Sequence, residues 1–426
     1  MTGDGRRVLA AQALRALAYG FGAVLLGVTL AARGWSSARV GLLLAVIVAG
    51  TALASVVVGA LGDRIGRRRL YAALFGLLAV AGVAFALTSR LWVLLAVALT
   101  GAVSTEVVES GPFTSLEQAM LPQTVDPADP RARTRVFGVY NTVATLAGSL
   151  GALAAGGPAL LRDADVALPA EQRLFLVFVP IGLAGAAVAW SLSDAVELDV
   201  EGEAGRHDRP GQPGAVTATS MHRPLGRSRT TVLRLAGLFA VDAFGGGFVV
   251  QSFIAYWFRV RYGVPIELLG AVFFAVGLLQ AGSFIAATRL AERIGLLPTM
   301  VFTHLPSNLL LAAIPLAPSL PVAIGLLLGR FALSQMDVPT RQAYVVALVD
   351  PAERTAAVAT TNLARYLARP VAPAVAGAVQ QLALGLPFVL AGTIKAAYDL
   401  TLWAWFRRVD VAGEPLHKTP AREEQP

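Results

Sequence analysis

The stretch GALGDRIGRRR, residues 59–69, returns in degenerate form as AERIG at residues 291–295. Aligning Gly66 with Gly295 sets an offset of 229, and at that offset Gly34 falls on Gly263 and Gly41 on Gly270. Further along, EQA at 117–119 matches RQA at 341–343, and VDP at 125–127 matches VDP at 349–351, both at an offset of 224. Arg133 and Thr134 then fall on Arg354 and Thr355, Asn141 on Asn362, and Gly156 on Gly377, at 221. Small loop insertions account for the drift. An ordered series of matches at a nearly fixed spacing marks an internal duplication.

Each copy is made of long apolar runs. Of 426 residues, 56% are hydrophobic and 15% charged, with a mean hydropathy of +0.64. A soluble chain carries about 25% charged residues, so this one lacks the polar surface to face water all round. A helix crossing about 30 Å of hydrocarbon needs about 20 apolar residues at 1.5 Å each. Runs of that kind occur at 8–32, 40–61, 70–88, 91–113, 135–160 and 173–194, then at 232–258, 266–289, 298–317, 320–345, 355–383 and 385–406. We number them spans 1 to 12. Between the sixes, 195–231 is rich in Gly, Pro and charge and reads as a flexible connector. The expected organisation is a six-helix bundle at 1–194, a cytoplasmic linker at 195–231, a second bundle at 232–408 and a tail at 409–426. The first run has no small-residue cleavage site, so it reads as span 1, not a signal peptide.

Charge sets the orientation. The net charge of +8 comes from arginines clustered between apolar runs, which marks cytoplasmic loops and not a nucleic-acid surface. Arg6, Arg7, Arg67, Arg68, Arg69, Arg131, Arg133, Arg407, Arg408 and the linker arginines share one side, against fewer on the other. Both termini and the linker are therefore expected in the cytoplasm of a multi-pass protein in the cell membrane. The absence of cysteine excludes disulfide and thiolate chemistry. His207, His222, His304 and His417 are scattered and read as isolated residues, with no metal site expected.

The loop at 59–69 resembles the signature loop between helices 2 and 3 of the major facilitator superfamily. Gly59, Asp63, Arg64, Gly66, Arg67 and Arg68 match its spacing, and residues 291–295 look like its second copy. The resemblance covers about residues 8–408. It implies an all-α fold of twelve transmembrane helices in two pseudo-symmetric bundles, with the loop latching the repeats on the cytoplasmic side. Gly59 is expected to permit close helix packing. Two departures weigh against the drug–proton antiporters of the superfamily: span 4 carries acids where those have an arginine, and the proline of GSLGALAAGGP, 148–158, is displaced to the end.

Duplicated bundles place a cavity at their interface near the midplane. Ionisable groups there cost about 2.5–3.5 kcal/mol to insert and are functional candidates by default. Carrying the alignment of Glu117 with Arg341 back along spans 4 and 10 sets Glu106 on Arg330. Arg330 lies about 13 Å from Pro321, near mid-depth. Two layers are expected. Glu106 and Arg330, with Glu109, line the cavity, and a buried carboxylate there can exchange a proton. Glu117 and Arg341, with Asp337, form a cytoplasmic gate. Static ion pairs within each half are the alternative. Asp242, beside AFGGGF at 243–248, is a second proton candidate. Arg365 and Arg369 share one helix face and are candidates for binding an anion, or for pairing with Asp337 or Asp63. Lys395 and Asp399, four apart, read as a satisfied pair.

These features predict a secondary active transporter working by alternating access. Proton-coupled efflux of a small organic compound is the leading reading, and proton-coupled uptake or exchange of an anion bound by arginines is the alternative. A membrane sensor or enzyme is remote, because no nucleotide loop, Ser–His pair or metal cluster is present. The expected partners are a small-molecule substrate, protons and the lipid bilayer, with no cofactor, no nucleic acid and a monomeric state.

Overall fold

The computed structural model describes residues 1–106, 111–126, 132–158, 170–197, 225–226, 228–349 and 353–409, with the side chains of Asp63, 132–134 and Thr355 left aside. Glu109, the tail and nearly all of the linker lie outside these residues, so the expectations for them stay untested. Every described secondary-structure element is helical. Helix occupies each of the twelve expected spans. Nine of them are long and apolar enough to cross a membrane; the other three are spans 4, 11 and 12, which are interrupted or carry charge.

Helices α1 (Gly3–Ala32), α2 (Ser37–Ile65) and α3 (Arg67–Leu87) fill spans 1 to 3. Span 4 departs from the expected single helix. It is α4 (Leu91–Leu99) and α5 (Pro112–Met120), parted by an irregular stretch that carries Glu106. The sequence explains the break: Gly101 and Gly111 take positive φ (72° and 149°), and Pro112 cannot continue an earlier helix. Spans 5 and 6 are α6 (Ala132–Ala154) and a 3-10 helix (Glu171–Val177) that runs into α7 (Phe178–Trp190).

Span 7 is likewise split, into α8 (Arg229–Gly247) and α9 (Gln251–Tyr262), after three glycines. Helices α10 (Ile266–Ile294) and α11 (Leu296–Ala313) form spans 8 and 9. Span 10 is α12 (Leu320–Ser334) and α13 (Asp337–Leu348); span 11 is α14 (Arg354–Ala368) and α15 (Val371–Val379), parted at Pro370. Helix α16 (Leu386–Phe406) closes the described chain.

The repeat is written into the backbone. Gly34 and Gly263 end corresponding helices at φ 63° and 65°, and Gly66 and Gly295 join corresponding pairs at φ 98° and 91°. These are left-handed conformations that glycine alone takes without strain. The helices before residue 198 pack chiefly on one another, α1 against α6 and α3 against α7, and those after 228 do the same, α11 against α16 and α8 against α14.

Three crossings join the two groups, α1 with α9, α2 with α15 and α6 with α10. A methyl group added at Gly41 would stand 2.8 Å from the Gly377 Cα, and one added at Gly270 would stand 3.4 Å from the Gly156 nitrogen. These four residues are the matched pairs of the repeat. One crossing is the pseudo-symmetric image of the other, and small residues let the backbones approach. All three crossings lie at the end away from the chain's N-terminus and Phe406, so the groups are closed there. Toward the other end they stand apart around a vestibule lined by Gln118, Gln342, Asn141 and Asn362, again two matched pairs. Outward faces carry exposed apolar side chains such as Leu53, Val80, Leu183 and Leu309, as contact with lipid requires.

Candidate functional site

The cavity sits between the groups at mid-depth and offers about 170 Å³ of free volume. Its polar wall comes from the second half: Asp242 of α8, His304 of α11, Arg330 of α12, Asp337 and Arg341 of α13, Arg365 of α14, Arg369 directly after α14, and Lys395 of α16. From the first half it takes Glu106, Thr145 and Ser149 beside small residues. The break in span 4 is what brings Glu106 to the wall. Irregular backbone at membrane depth is tolerated where it lines a cavity.

Asp242 is the hub. It pairs with Lys395, lies 3.5 Å from Arg341 and Arg365, and stands 3.9 Å from His304 Nε2. Arg341 also donates to Asp337 at 2.7 Å. On the far face of the imidazole, His304 Nδ1 lies 2.8 Å from Asp399 Oδ1, and Asn308 donates to the other oxygen at 2.8 Å. The expected Lys395–Asp399 pair is therefore corrected. Spacing of four sets both on one side of α16, but Lys395 reaches α8 and Asp399 reaches α11. His304, read from sequence as isolated, is buried between two carboxylates.

Arg330 is only 7% exposed, and neither its Nε nor its Nη1 has a hydrogen-bond partner. Its guanidinium lies 4.5 Å from the ring of Phe331. The expected opposition of Glu106 and Arg330 is not a contact. Glu106 pairs with Arg369 instead, which joins the two halves across the cavity.

Glu117 and Arg341, expected as a cytoplasmic gate that breaks when the cavity opens inward, do not meet in this conformation. Glu117 is fully buried in the first half. It accepts from Arg15 Nε and Nη2 at 3.0 and 2.8 Å, from Tyr71 at 2.9 Å and from Tyr140 at 2.7 Å. Arg341 finds its acids in the second half. The alternative reading, static pairs within each half, describes these two residues. Arg15 obeys the same rule as Glu117, a charge inside an apolar run, and that rule applied to span 1 picks it out.

The signature loop works locally. Glu197 accepts the backbone N–H of Arg67 and Arg68 at 2.7 and 3.1 Å, capping α3. Arg68 donates to the Leu192 carbonyl at 3.0 Å and reaches Asp194 at 3.1 Å. Arg64 is exposed, and Asp63's side chain lies outside the described residues. The described partners of Arg67 and Arg68 belong to the same half, so in this conformation they tie α3 to the chain after α7. Gly59 is not a packing glycine, since an added Cβ would meet open space.

Comparison with known proteins agrees with this architecture. The Major Facilitator Superfamily model matches residues 8–373. An uncharacterized membrane protein of Saccharomyces cerevisiae, YJR124C, is 27% identical over 417 residues, spanning 93% of this chain and 92% of that one. Among solved structures, the nucleoside transporter NupG superposes with a TM-score of 0.72 at 10% identity, covering 95% of this chain and 99% of its own. The xylose transporter XylE from E. coli gives 0.68 at 14% identity, covering 95% and 96%. At such identities the likeness is one of fold. The duplicated helices, the crossings between their halves and the family match lead to one assignment: the chain belongs to the major facilitator superfamily.

Proposed function

We propose that this protein is a secondary active transporter whose small solute carries a negative charge, bound at Arg330, and that transport is coupled to protons. The observation that carries this is the buried guanidinium of Arg330, on a residue that lines the cavity, with two of its donors unsatisfied. An uncompensated charge at membrane depth is costly, and an anionic group of the solute would satisfy it with charge-assisted hydrogen bonds. The balance of the wall points the same way. Among the described lining residues, Arg330, Arg341, Arg365, Arg369 and Lys395 face only Glu106, Asp242 and Asp337.

The arginine bias places the open end in the cytoplasm, so this conformation faces inward. The two helical groups then rock about the cavity, breaking the crossings of α2 with α15 and α6 with α10 when the site opens outward.

Uptake of succinate and inorganic phosphate by purified protein in liposomes tests the reading. A parallel proton gradient should drive accumulation of at least one of them, and Arg330→Gln should weaken its binding by tenfold or more. Unchanged binding in Arg330→Gln excludes Arg330 as the anion ligand. Efflux of an organic compound by proton antiport stays as a second reading, favoured by Glu106. It is 28% exposed at the cavity wall, and its partner Arg369 lies on the opposite half. An opposing gradient would drive that process, and Glu106→Gln would abolish it.

A further inference from the structure

Among the described groups facing the cavity, the acids are held by permanent cations. Asp242 has Lys395, Arg341 and Arg365 within bridging distance, Asp337 has Arg341, and Glu106 has Arg369. Protonating any of them abandons at least one arginine or lysine in a poorly solvated site, which is the expensive way to load a proton. His304 is different. Protonating its ring breaks no pair with a fixed cation.

The surroundings of the ring suit that role. Nδ1 faces Asp399, which is 1% exposed, does not line the cavity and, among the described residues, has no arginine or lysine within bridging distance. With Nδ1 donating to Asp399, the lone pair of the neutral ring sits on Nε2, which points at Asp242 and the cavity. A proton arriving from the cavity would give an imidazolium between two carboxylates. Asn308, donating to Asp399 Oδ2, fixes the carboxylate in place. The other charged or titratable groups around the ring are Lys395 on α16, Arg341 on α13, Arg330 on α12, Arg365 on α14 and Tyr398, whose ring stands edge-on at 6.0 Å. The lysine and arginines oppose a further positive charge, and Asp242 and Asp399 offset them.

We infer that His304, seated on Asp399, is the site that takes up the coupling proton, with Asp242 as its relay to the cavity. This rests on the transport reading above. An imidazolium in the wall adds to the field of Arg330, so proton and anion favour each other's binding, and that coupling is reciprocal.

The ionisation of the ring can be read without any solute. Replacing His207, His222 and His417 by Gln in the full chain leaves His304 as the sole histidine. In lipid bilayers, the 15N spectrum of that imidazole should pass from singly to doubly protonated as the pH is lowered. Adding Asp399→Asn should displace the transition by at least one pH unit. A ring that stays neutral throughout, or titrates the same without Asp399, overturns the inference. In liposomes, His304→Gln should lose accumulation of succinate or phosphate driven by a pH gradient, while exchange at equal pH continues; retained accumulation also overturns it. If neither anion moves in the wild type, the transport reading fails, and the imidazole titration still decides whether His304 is a proton site.

Discussion

Glu117 and Arg341 hold equivalent positions in the two repeats, yet they have opposite charges and opposite surroundings. Around Glu117 every acceptor is used: a forked arginine and two tyrosine hydroxyls close on it, and the site touches neither cavity nor vestibule. Around Arg341 the network is larger, faces the cavity and includes a histidine. It reaches acids on two helices, Asp242 and Asp337. Duplication supplied two buried ionic sites. One is a closed cluster inside its bundle, and the other faces the cavity. The lesson is that a charge inside the membrane marks function only when some of its valence is unspent.

Breaking the closed cluster should have the largest effect. Glu117→Gln strands Arg15, which is 2% exposed, and removing one partner of a buried pair costs about 3–5 kcal/mol. The variant should lose most of its folded yield and show a much lower thermal midpoint in detergent. Replacing both partners, Glu117→Gln with Arg15→Met, should recover much of that loss; no recovery would mean the pair does more than satisfy itself. Tyr140→Phe removes one of four donors to the carboxylate and should cost about 1.5–3 kcal/mol, the range for a hydrogen bond to a charged group. The thermal midpoint should fall while anion binding stays unchanged, which separates cluster from site.

Much of this was legible in the sequence. The matched glycines announced the crossings, because backbones approach closely only where side chains are absent, and the charges inside apolar runs named most of the cavity wall. The pairing was not legible. Positions matched by a two-fold repeat stand on opposite sides of its axis, so Glu117 need not meet Arg341, nor Glu106 meet Arg330. Contacts across the axis join unlike elements instead, as Gly41 meets Gly377. The spacing of Lys395 and Asp399 fixed a shared helix face but not which neighbouring helix each would reach. His304 escaped notice because its partner lies 95 residues away in the chain.

The crossings test the comparison at the level of whole bundles. Gly41→Val places a side chain against the Gly377 backbone, and such overpacking costs about 1–3 kcal/mol. That cost falls on the closed end alone, so the population open on that side should rise about fivefold or more, at about 1.4 kcal/mol per factor of ten. The chain has no cysteine, so Gln251→Cys in the cavity wall gives a single reporter. Its labelling by an impermeant maleimide added at the closed end should accelerate by the same factor. Gly270→Val, at the pseudo-symmetric crossing, should act in the same direction; opposite effects would break the symmetry of the two crossings.

The smallest stability effect is expected where the functional effect is large. Arg330 is as inaccessible as Arg341, at 7% exposure each, but no acid bridges it and two of its nitrogens are unsatisfied. Truncating Arg341 strands Asp337 and weakens the hold on Asp242, whereas truncating Arg330 strands nothing. Removing an uncompensated charge also removes the cost of burying it. Arg330→Gln should therefore lower the thermal midpoint less than Arg341→Gln does, its loss limited to the contact with Phe331. Arg341→Gln should lower it clearly. If both variants fall alike, Arg330 has a structural partner in the folded state and its open valence is not a binding site. If Arg330→Gln is stable and no longer responds to the anion that stabilises the wild type, the unspent charge is what the solute meets.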